Sequence, residues 1–340
     1  MKLFIYEHIT SGALIDEPLP TSLAREGNDM LIAIVQDLLE LSTIELILLR
    51  DDRLDPLAAI IGHSEIQITT IKDYASFQSA YHDAIKRADA ILPIAPETDG
   101  ILNNIQQDIL NSNKQLLASQ AEAMSVSSDK YQCHQQLLAY GLSSPTTVKA
   151  SEWSMNQFTS STGFIIKPRD GAGCMDTLFI KGSASLKAWL ASPAHDLENT
   201  IIQPYIDGIT MSLNILSDND DSRVLAINKQ HFQRNNRNLS FTGSTVNGVD
   251  ESIFSITQAS SLVAKIHQAI SGLWGFIGID LIVRDNEVFI LDINPRLTTS
   301  YIGLKASLGI NPAQLLFTMI EQGLSALPKT IQRHAVEVRV

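Results

Sequence analysis

The chain has 340 residues, 44% hydrophobic and 18% charged, with a formal net charge of −12 and no long Lys/Arg block. This balance excludes a wholly disordered chain and leaves room for two or three lobes, each with its own core. The acidity argues against general affinity for nucleic acid or an anionic membrane, while a local basic pocket for phosphates stays compatible with it.

In chain order, the first residues alternate strand and helix signals. Lys2 to Tyr6 reads as a strand and Ser22 to Leu41 as an amphipathic helix, with Met30, Leu31, Ile34, Val35, Leu38 and Leu39 on its apolar side. Ile44 to Leu49 is a buried-type strand, Tyr74 to Ala88 a helix, Asp89 to Ile94 a strand, Ile101 to Asn111 a helix and Gln115 to Ser119 a strand. Such alternation predicts a parallel sheet flanked by helices, with ligand contacts at strand C-terminal ends, where Glu7 to Leu14 and Pro96 to Gly100 fall.

The texture then changes. Ser127 to Gly141 reads as one helix, Phe164 to Lys167 and Thr177 to Ile180 as short strands around a Gly-bearing loop, Ser183 to Ala191 as a helix and Thr200 to Gln203 as a strand. Met211 to Leu216 and Ser222 to Lys229 follow as an antiparallel pair. Gln230 to Gly248, rich in Asn, Arg, Gly and Ser, shows no period and is expected to be a long functional loop. Gln258 to Ser271 is a helix, Phe276 to Val283 and Glu287 to Ile293 are strands joined by a short turn, and Asn311 to Gly323 is a helix. The N-terminal run Met1 to His8 lacks the features of a signal peptide, and apolar runs such as Ile44 to Leu49 are too short to span a bilayer. Cys133 and Cys174 are the only cysteines, consistent with reduced thiols in the cytoplasm.

The chemistry concentrates near the C-terminal strand pair. Side chains alternate along a strand, so Asp292 and Asn294 share a face, and an antiparallel neighbour can bring Asp280 alongside. Two carboxylates and an amide oxygen, with no His or Cys, suit Mg²⁺ or Mn²⁺ that takes further ligands from nucleotide phosphates and water. Arg296, just past the strand, can hold a phosphoryl oxygen. Upstream, Lys167 ends a strand before a loop in which Gly171 and Gly173 would let backbone N–H groups approach an anion. This is neither a P-loop nor a dinucleotide fingerprint. Gln203 to Gly208 reads as a hinge, stiffened by Pro204, where the Tyr205 and Ile206 backbone can meet an adenine edge. Lys130 offers a second positive charge. His8 in the N-terminal loop reads as a structural histidine.

From Ser127 to Ser300 these segments, in this order, resemble the ATP-grasp superfamily: Ser128-Asp129-Lys130-Tyr131, Ile166-Lys167-Pro168 with its glycine loop, Gln203-Pro204-Tyr205-Ile206-x-Gly208, and Gly278-x-Asp280 with Asp292-x-Asn294-Pro295-Arg296. Tyr6 to Gly12, the Arg25 to Leu31 helix and Ala95 to Leu102 resemble a smaller group within it, the one that contains the tyramine–L-glutamate ligase of methanofuran biosynthesis and its methylotroph relatives. The resemblance implies an α/β chain of ATP-grasp fold, with an N-terminal parallel domain over 1–115, a central lobe over 116–202 and a C-terminal lobe over 203–340 that clasp ATP.

It further implies ATP and Mg²⁺ (or Mn²⁺) as cofactors. Lys130 and Lys167 would contact phosphates, and Gln203, Tyr205 and Ile206 adenine. Asp280, Asp292 and Asn294 would hold metal, with Asp292 bridging, and Arg296 and Lys167 would serve catalysis. Two departures stand out: many members carry Glu where Asp292 stands, and many carry a ribose-binding acid near Thr210, for which Asp207 is the candidate substitute. The implied reaction is amide formation through an acyl phosphate, with small-molecule partners (a carboxylate such as glutamate, and an amine). Neither nucleic acid nor membrane is an expected partner, and a homodimer is compatible with the reading. Lys229, Arg234 and Arg237 are candidates for holding the carboxylate, with a solvated basic loop as the equal alternative. Rival readings are another amino-acid or peptide ligase of the superfamily, or a nucleotide-binding protein without turnover.

Overall fold

The computed structural model describes residues 1–340 apart from Ser42, Asn156, Ala172, Gly173 and Met175. Two sheets organise the chain. The first is built from β1 (Lys2–Glu7), α1 (Thr21–Leu39), β2 (Glu45–Asp51), β3 (Ile66–Ile71), α2 (Tyr74–Arg87), β4 (Ala90–Ile94), α3 (Ile101–Asn111) and β5 (Gln115–Leu116). Its five strands are parallel, in the order β3-β2-β1-β4-β5. Alternate residues explain why both faces are covered. Leu3, Ile5, Leu46 and Leu48 pack against the apolar side of α1, while Phe4, Tyr6, Ile47 and Leu49 pack against Phe77, Tyr81 and Ile85 of α2 and Ile105 and Ile109 of α3. The strand order reverses between β1 and β4, so a crevice opens beyond their C-terminal ends, where Glu7 and the segment after Ile94 lie.

The chain continues through α4 (Ala121–Ser128), α5 (Lys130–Ala139), β6 (Val148–Lys149), β7 (Phe164–Pro168), β8 (Leu178–Ile180), α6 (Ser183–Leu190) and β9 (Thr200–Pro204). Then come β10 (Ile209–Ser217), β11 (Ser222–Asn235), β12 (Asn238–Val246), α7 (Ile256–Ala269), β13 (Gly275–Arg284), β14 (Glu287–Asn294), α8 (Leu304–Leu308), α9 (Pro312–Gln322) and β15 (Val336–Arg339). Their strands make one ten-stranded sheet in the order β14-β13-β10-β11-β12-β8-β7-β9-β6, with β15 pairing β12. The helices after β14 return to the first sheet: Tyr301 Oη donates to Asp37 Oδ2 of α1 at 2.8 Å, and Lys305 Nζ lies 3.2 Å from Asp37 Oδ1. No helix among the described residues is long and apolar enough to cross a membrane.

Two expectations need correction. Gln230 to Gly248 is not a loop but most of a hairpin, in which β11 and β12 pair from Lys229↔Thr245 to Asn235↔Asn238. Its tip, Gln233 to Asn238, is exposed throughout and carries no apolar period, while Phe232, Leu239 and Phe241 turn toward the cavity. The single helix expected over Ser127 to Gly141 is two. Asp129 takes extended dihedrals (φ −99°, ψ 104°), ends α4, and caps α5 by accepting from the N–H groups of Tyr131 and Gln132.

Candidate active site

A cavity of about 930 Å³ runs between the sheets. One wall is the β13–β14 pair. Asp280 faces Asp292 directly across the strands, and Gly278 faces Asn294. The register shifts by one residue after Asp280, so Leu281 pairs with Ile290 and Leu291 is the extra residue of a bulge. Leu291 and Asp292 therefore both reach the cavity. Asn294 Nδ2 donates to Asp280 Oδ2 at 3.2 Å, and Gln230 Nε2 donates to Asp280 Oδ1 at 2.8 Å. Burial, together with the Asp292 charge, pushes the Asp280 carboxyl up to about 6. That is the signature of negative charge in excess of its local compensation.

The positive side comes from two elements. Lys130, the first residue of α5, places Nζ 3.0 Å from Asp292 Oδ2 and donates to the Gly171 carbonyl at 2.6 Å. Burial alone would lower its ammonium pKa, but Asp292 holds it above the ordinary lysine value. The helix start itself is pinned, because the Asp129 carboxylate pairs with the Arg169 guanidinium beyond β7 and Lys130 N–H donates to the Arg169 carbonyl at 2.8 Å. Lys167, on β7, lines the same cavity, and burial pushes its ammonium below the ordinary value.

Arg296 is enclosed and held by Glu97, which follows β4 of the first sheet. Nε and Nη2 donate to the two Glu97 oxygens at 2.8 and 3.0 Å. This bidentate pair ties the metal-side strand of the second sheet to the first sheet. Sequence reasoning reached Arg296 but not its partner, although Glu97 stands in the Pro96 to Gly100 segment flagged for its place at a strand end.

At the far end, Gln203 is buried and donates through Nε2 to Thr147 Oγ1 at 2.8 Å. The Tyr205 N–H is committed to the Gly163 carbonyl at 2.8 Å, and the Tyr205 carbonyl accepts from Thr162 Oγ1 at 2.7 Å. Tyr205 and Ile206 both line the cavity. Gly171 turns its carbonyl toward Lys130, and Gly173 lies outside the described residues. Asp207, the candidate ribose partner, sits in the β9–β10 turn, is exposed and does not line the cavity, whereas Thr210 does. Lys229, Arg234 and Arg237 are likewise exposed and off the cavity, and Arg234 stacks on Phe179 instead, 4.8 Å from the ring centre. Burial pushes the Cys133 thiol up to about 12 and Cys174 up to about 11, which favours the thiol over the thiolate at both.

The donor set fits a hard divalent cation. Its oxygens come from Asp280, Asp292 and, once its amide is turned, Asn294, and the raised Asp280 carboxyl marks a charge that a cation would relieve. Among the described residues no cluster of three or more His, Cys, Asp or Glu could hold a metal unaided. A cation held by the Asp280–Asp292 pair would take its further ligands from phosphate oxygens and water.

Two lysines, a pair of facing carboxylates and the Gln203–Ile206 hinge thus line one cleft, and a family model described as an ATP-grasp domain matches residues 127–300 across it. The chain belongs to the ATP-grasp family. A pre-ATP-grasp domain model matches residues 44–124. The tyramine–L-glutamate ligase of Methanocaldococcus fervens is 25% identical over 308 residues, 89% of each chain. An ATP-grasp superfamily protein from Archaeoglobus fulgidus shares the fold with a TM-score of 0.69 at 22% identity, over 93% of this chain and 88% of its own. The N5-carboxyaminoimidazole synthetase of Staphylococcus aureus, solved with ADP, reaches 0.68 at 14% identity, over 98% of this chain and 79% of its own. The ATP-grasp architecture accounts for the two-sheet clasp around the cavity.

Proposed function

We propose that this chain is an ATP-dependent carboxylate–amine ligase that joins glutamate to tyramine or a related amine. The observation that carries the reading is the convergence of Lys130, Lys167, Asp280, Asp292 and Arg296 on one cavity. The substrate pair is supported by the name of a relative that aligns with 89% of the chain. In this reading Ile206 and Gln203 hold adenine, Lys130 and Lys167 hold phosphate oxygens, and Arg296 steadies the transferring phosphoryl group. Asp280, Asp292 and Asn294 would hold Mg²⁺ or Mn²⁺, which would neutralise charge on the phosphates of ATP, the phosphoryl donor.

A substrate carboxylate attacks the γ-phosphoryl group, ADP leaves, and the acyl phosphate so formed is opened by an amine. The protein's task is to align the reactants and keep water from the acyl phosphate. The chain divides accordingly into a parallel domain over 1–115, a central lobe over 116–202 and a C-terminal lobe over 203–340. We place it in the cytoplasm, acting on small molecules.

The test is ADP release with ATP, Mg²⁺, glutamate and tyramine, beside a panel of amino-acid pairs. Release with glutamate and tyramine supports the reading, and Asp292→Ala is expected to abolish it while leaving the fold in place. Release only with another pair points to a different amino-acid or peptide ligase, and none with any pair to a nucleotide-binding protein without turnover. Full release by Asp292→Ala sinks the metal assignment.

A further inference from the structure

The cavity does not end at the phosphoryl site. It continues to the first sheet, where Glu7 closes β1 and one face of α1 looks in. Leu23, Glu26, Gly27 and Met30 follow the spacing i, i+3, i+4, i+7 and all line the cavity. Leu14 adds to the apolar wall.

The charge at this end is one-sided. Of the cavity-lining Lys and Arg residues, Lys130 and Lys167 stand at the phosphoryl site and Arg296 is engaged by Glu97. Glu7 is 3% exposed. Its oxygens accept from Thr10 Oγ1 at 2.6 Å, Thr10 N–H at 2.7 Å and Ile9 N–H at 3.3 Å, all neutral donors. Arg50, whose charge acts on Glu7, donates instead to the Asp55 carbonyl at 2.7 Å. A buried carboxylate without a cation is costly, and proteins seldom keep one without a use.

Two further observations point to a ligand. A Cβ at position 27 would lie 2.5 Å from Glu7 Oε1, so a glycine inside α1 gives the carboxylate its room. His8, which lines the same end, shares a hydrogen bond between Nδ1 and Tyr6 Oη at 2.9 Å, but its Nε2 is buried without a partner among the described residues. Burial lowers His8 to about 4, so at neutral pH it brings no positive charge to cancel Glu7.

We propose that this end of the cavity is the acceptor-amine pocket, in which Glu7 receives the ammonium of a primary amine whose apolar body lies along Leu14, Leu23 and Met30. The proposal rests on the ligase reading and adds to it the residues that select the amine. The same surface disfavours a second carboxylate, since Glu7 and Glu26 both line it while the arginines that act on them, Arg50, Arg25 and Arg296, either do not line the cavity or, as Arg296, are engaged by Glu97. Glu7 also has a use for the proton that the amine must shed. The ammonium hands one proton to the Glu7 carboxylate, and the freed amine forms the C–N bond as the C–O bond to phosphate breaks. Phosphate leaves with that electron pair and takes the second amine proton, and Glu7 returns its own to solvent. Burial raises Glu7 to about 7, so it accepts a proton more readily than an ordinary glutamate does.

The experiment uses the full chain. Hydroxylamine, in place of the amine, traps the acyl phosphate as a hydroxamate and reports activation alone. Condensation with tyramine reports the whole reaction. For Glu7→Gln the ratio of tyramine condensation to hydroxamate formation is expected to fall about 100-fold, the scale of a lost charged hydrogen bond. Calorimetry without nucleotide is expected to show tyramine binding and no binding of 4-hydroxyphenylacetate, which carries a carboxylate where tyramine carries its ammonium. An unchanged ratio, or equal binding of the two compounds, overturns the proposal. If Glu7→Gln makes no hydroxamate because it does not fold, Leu23→Lys on the outer face of the pocket carries the same ratio test. If the wild-type chain makes no hydroxamate, the ligase reading fails, and calorimetry still decides the pocket by itself.

Discussion

Replacing Glu97 with Gln removes the counter-charge of a guanidinium that water barely reaches. The two side chains are 14% (Arg296) and 6% (Glu97) exposed and share hydrogen bonds of 2.8 and 3.0 Å. Removing one partner of a buried pair costs about 3–5 kcal/mol, because the remaining charge is left without compensation. The amide of Gln keeps one acceptor, so the lower end, about 3 kcal/mol, is expected. In a chain of this size that corresponds to a fall of roughly 5 °C or more in melting temperature. The reference is Asp83→Asn, which breaks the exposed Arg87–Asp83 pair on α2. Pairs of that kind contribute about 0.5 kcal/mol or less. A double variant, Glu97→Leu with Arg296→Met, removes both charges and is expected to recover most of the loss. Scanning calorimetry of the four proteins without nucleotide decides it. A Glu97→Gln shift no larger than that of Asp83→Asn, or a double variant less stable than the single one, refutes the claim that this buried pair joins the two sheets.

Lys130→Met leaves Asp292 facing Asp280 with no cation at 3.0 Å, and a loss of about 3 kcal/mol is expected, largely restored by adding Asp292→Asn; urea titration of the single and double variants measures it. Gly27→Ala gains about 1 kcal/mol of helix propensity but drives a methyl group against Glu7 Oε1. It is therefore expected to destabilise the native chain and to stabilise it once Glu7 is Ala, and equal effects in both backgrounds would falsify the contact. The raised Glu7 carboxyl makes a pH prediction. Its folded value of about 7 exceeds the ordinary 4.5, so the native state holds the extra proton, and the stability this contributes is full below 4.5 and lost as pH rises through 7. Melting temperatures from pH 5 to 8 should decline less steeply in Glu7→Gln than in the native chain, and parallel slopes rule the effect out.

The parallel sheet was legible because its strands are buried on both faces. Runs such as Ile44 to Leu49 and Lys2 to Tyr6 carry continuous apolar character, and helices of clear period separate them. β3 (Ile66–Ile71) escaped notice because Gln67, Thr69 and Thr70 give it the look of an edge, which it is. The facing of Asp280 and Asp292 follows from strand alternation and a short turn, and needs no further information. What stayed hidden depends on tertiary contact. Glu97 reaches Arg296 across 199 residues of chain, and Gln230 reaches Asp280 from a hairpin whose exposed tip erased its period. The exposure of Asp207 could not be read from spacing alone, since the turn after Pro204 decides which way it faces.

The seam between β12 and β8 has a consequence for where the second sheet opens. Among the described residues the ten strands are joined at this point by a single residue pair, Asn238 with Leu178, and by two adjacent bonds, Phe179 N–H to the Arg237 carbonyl at 2.7 Å and Leu239 N–H to the Thr177 carbonyl at 3.2 Å. The neighbouring β10–β11 and β11–β12 pairs run through seven pairs each. Local opening at the seam therefore costs fewer bonds than opening along those ladders, and amide exchange at Phe179 and Leu239 is expected to outpace exchange along β10 and β11.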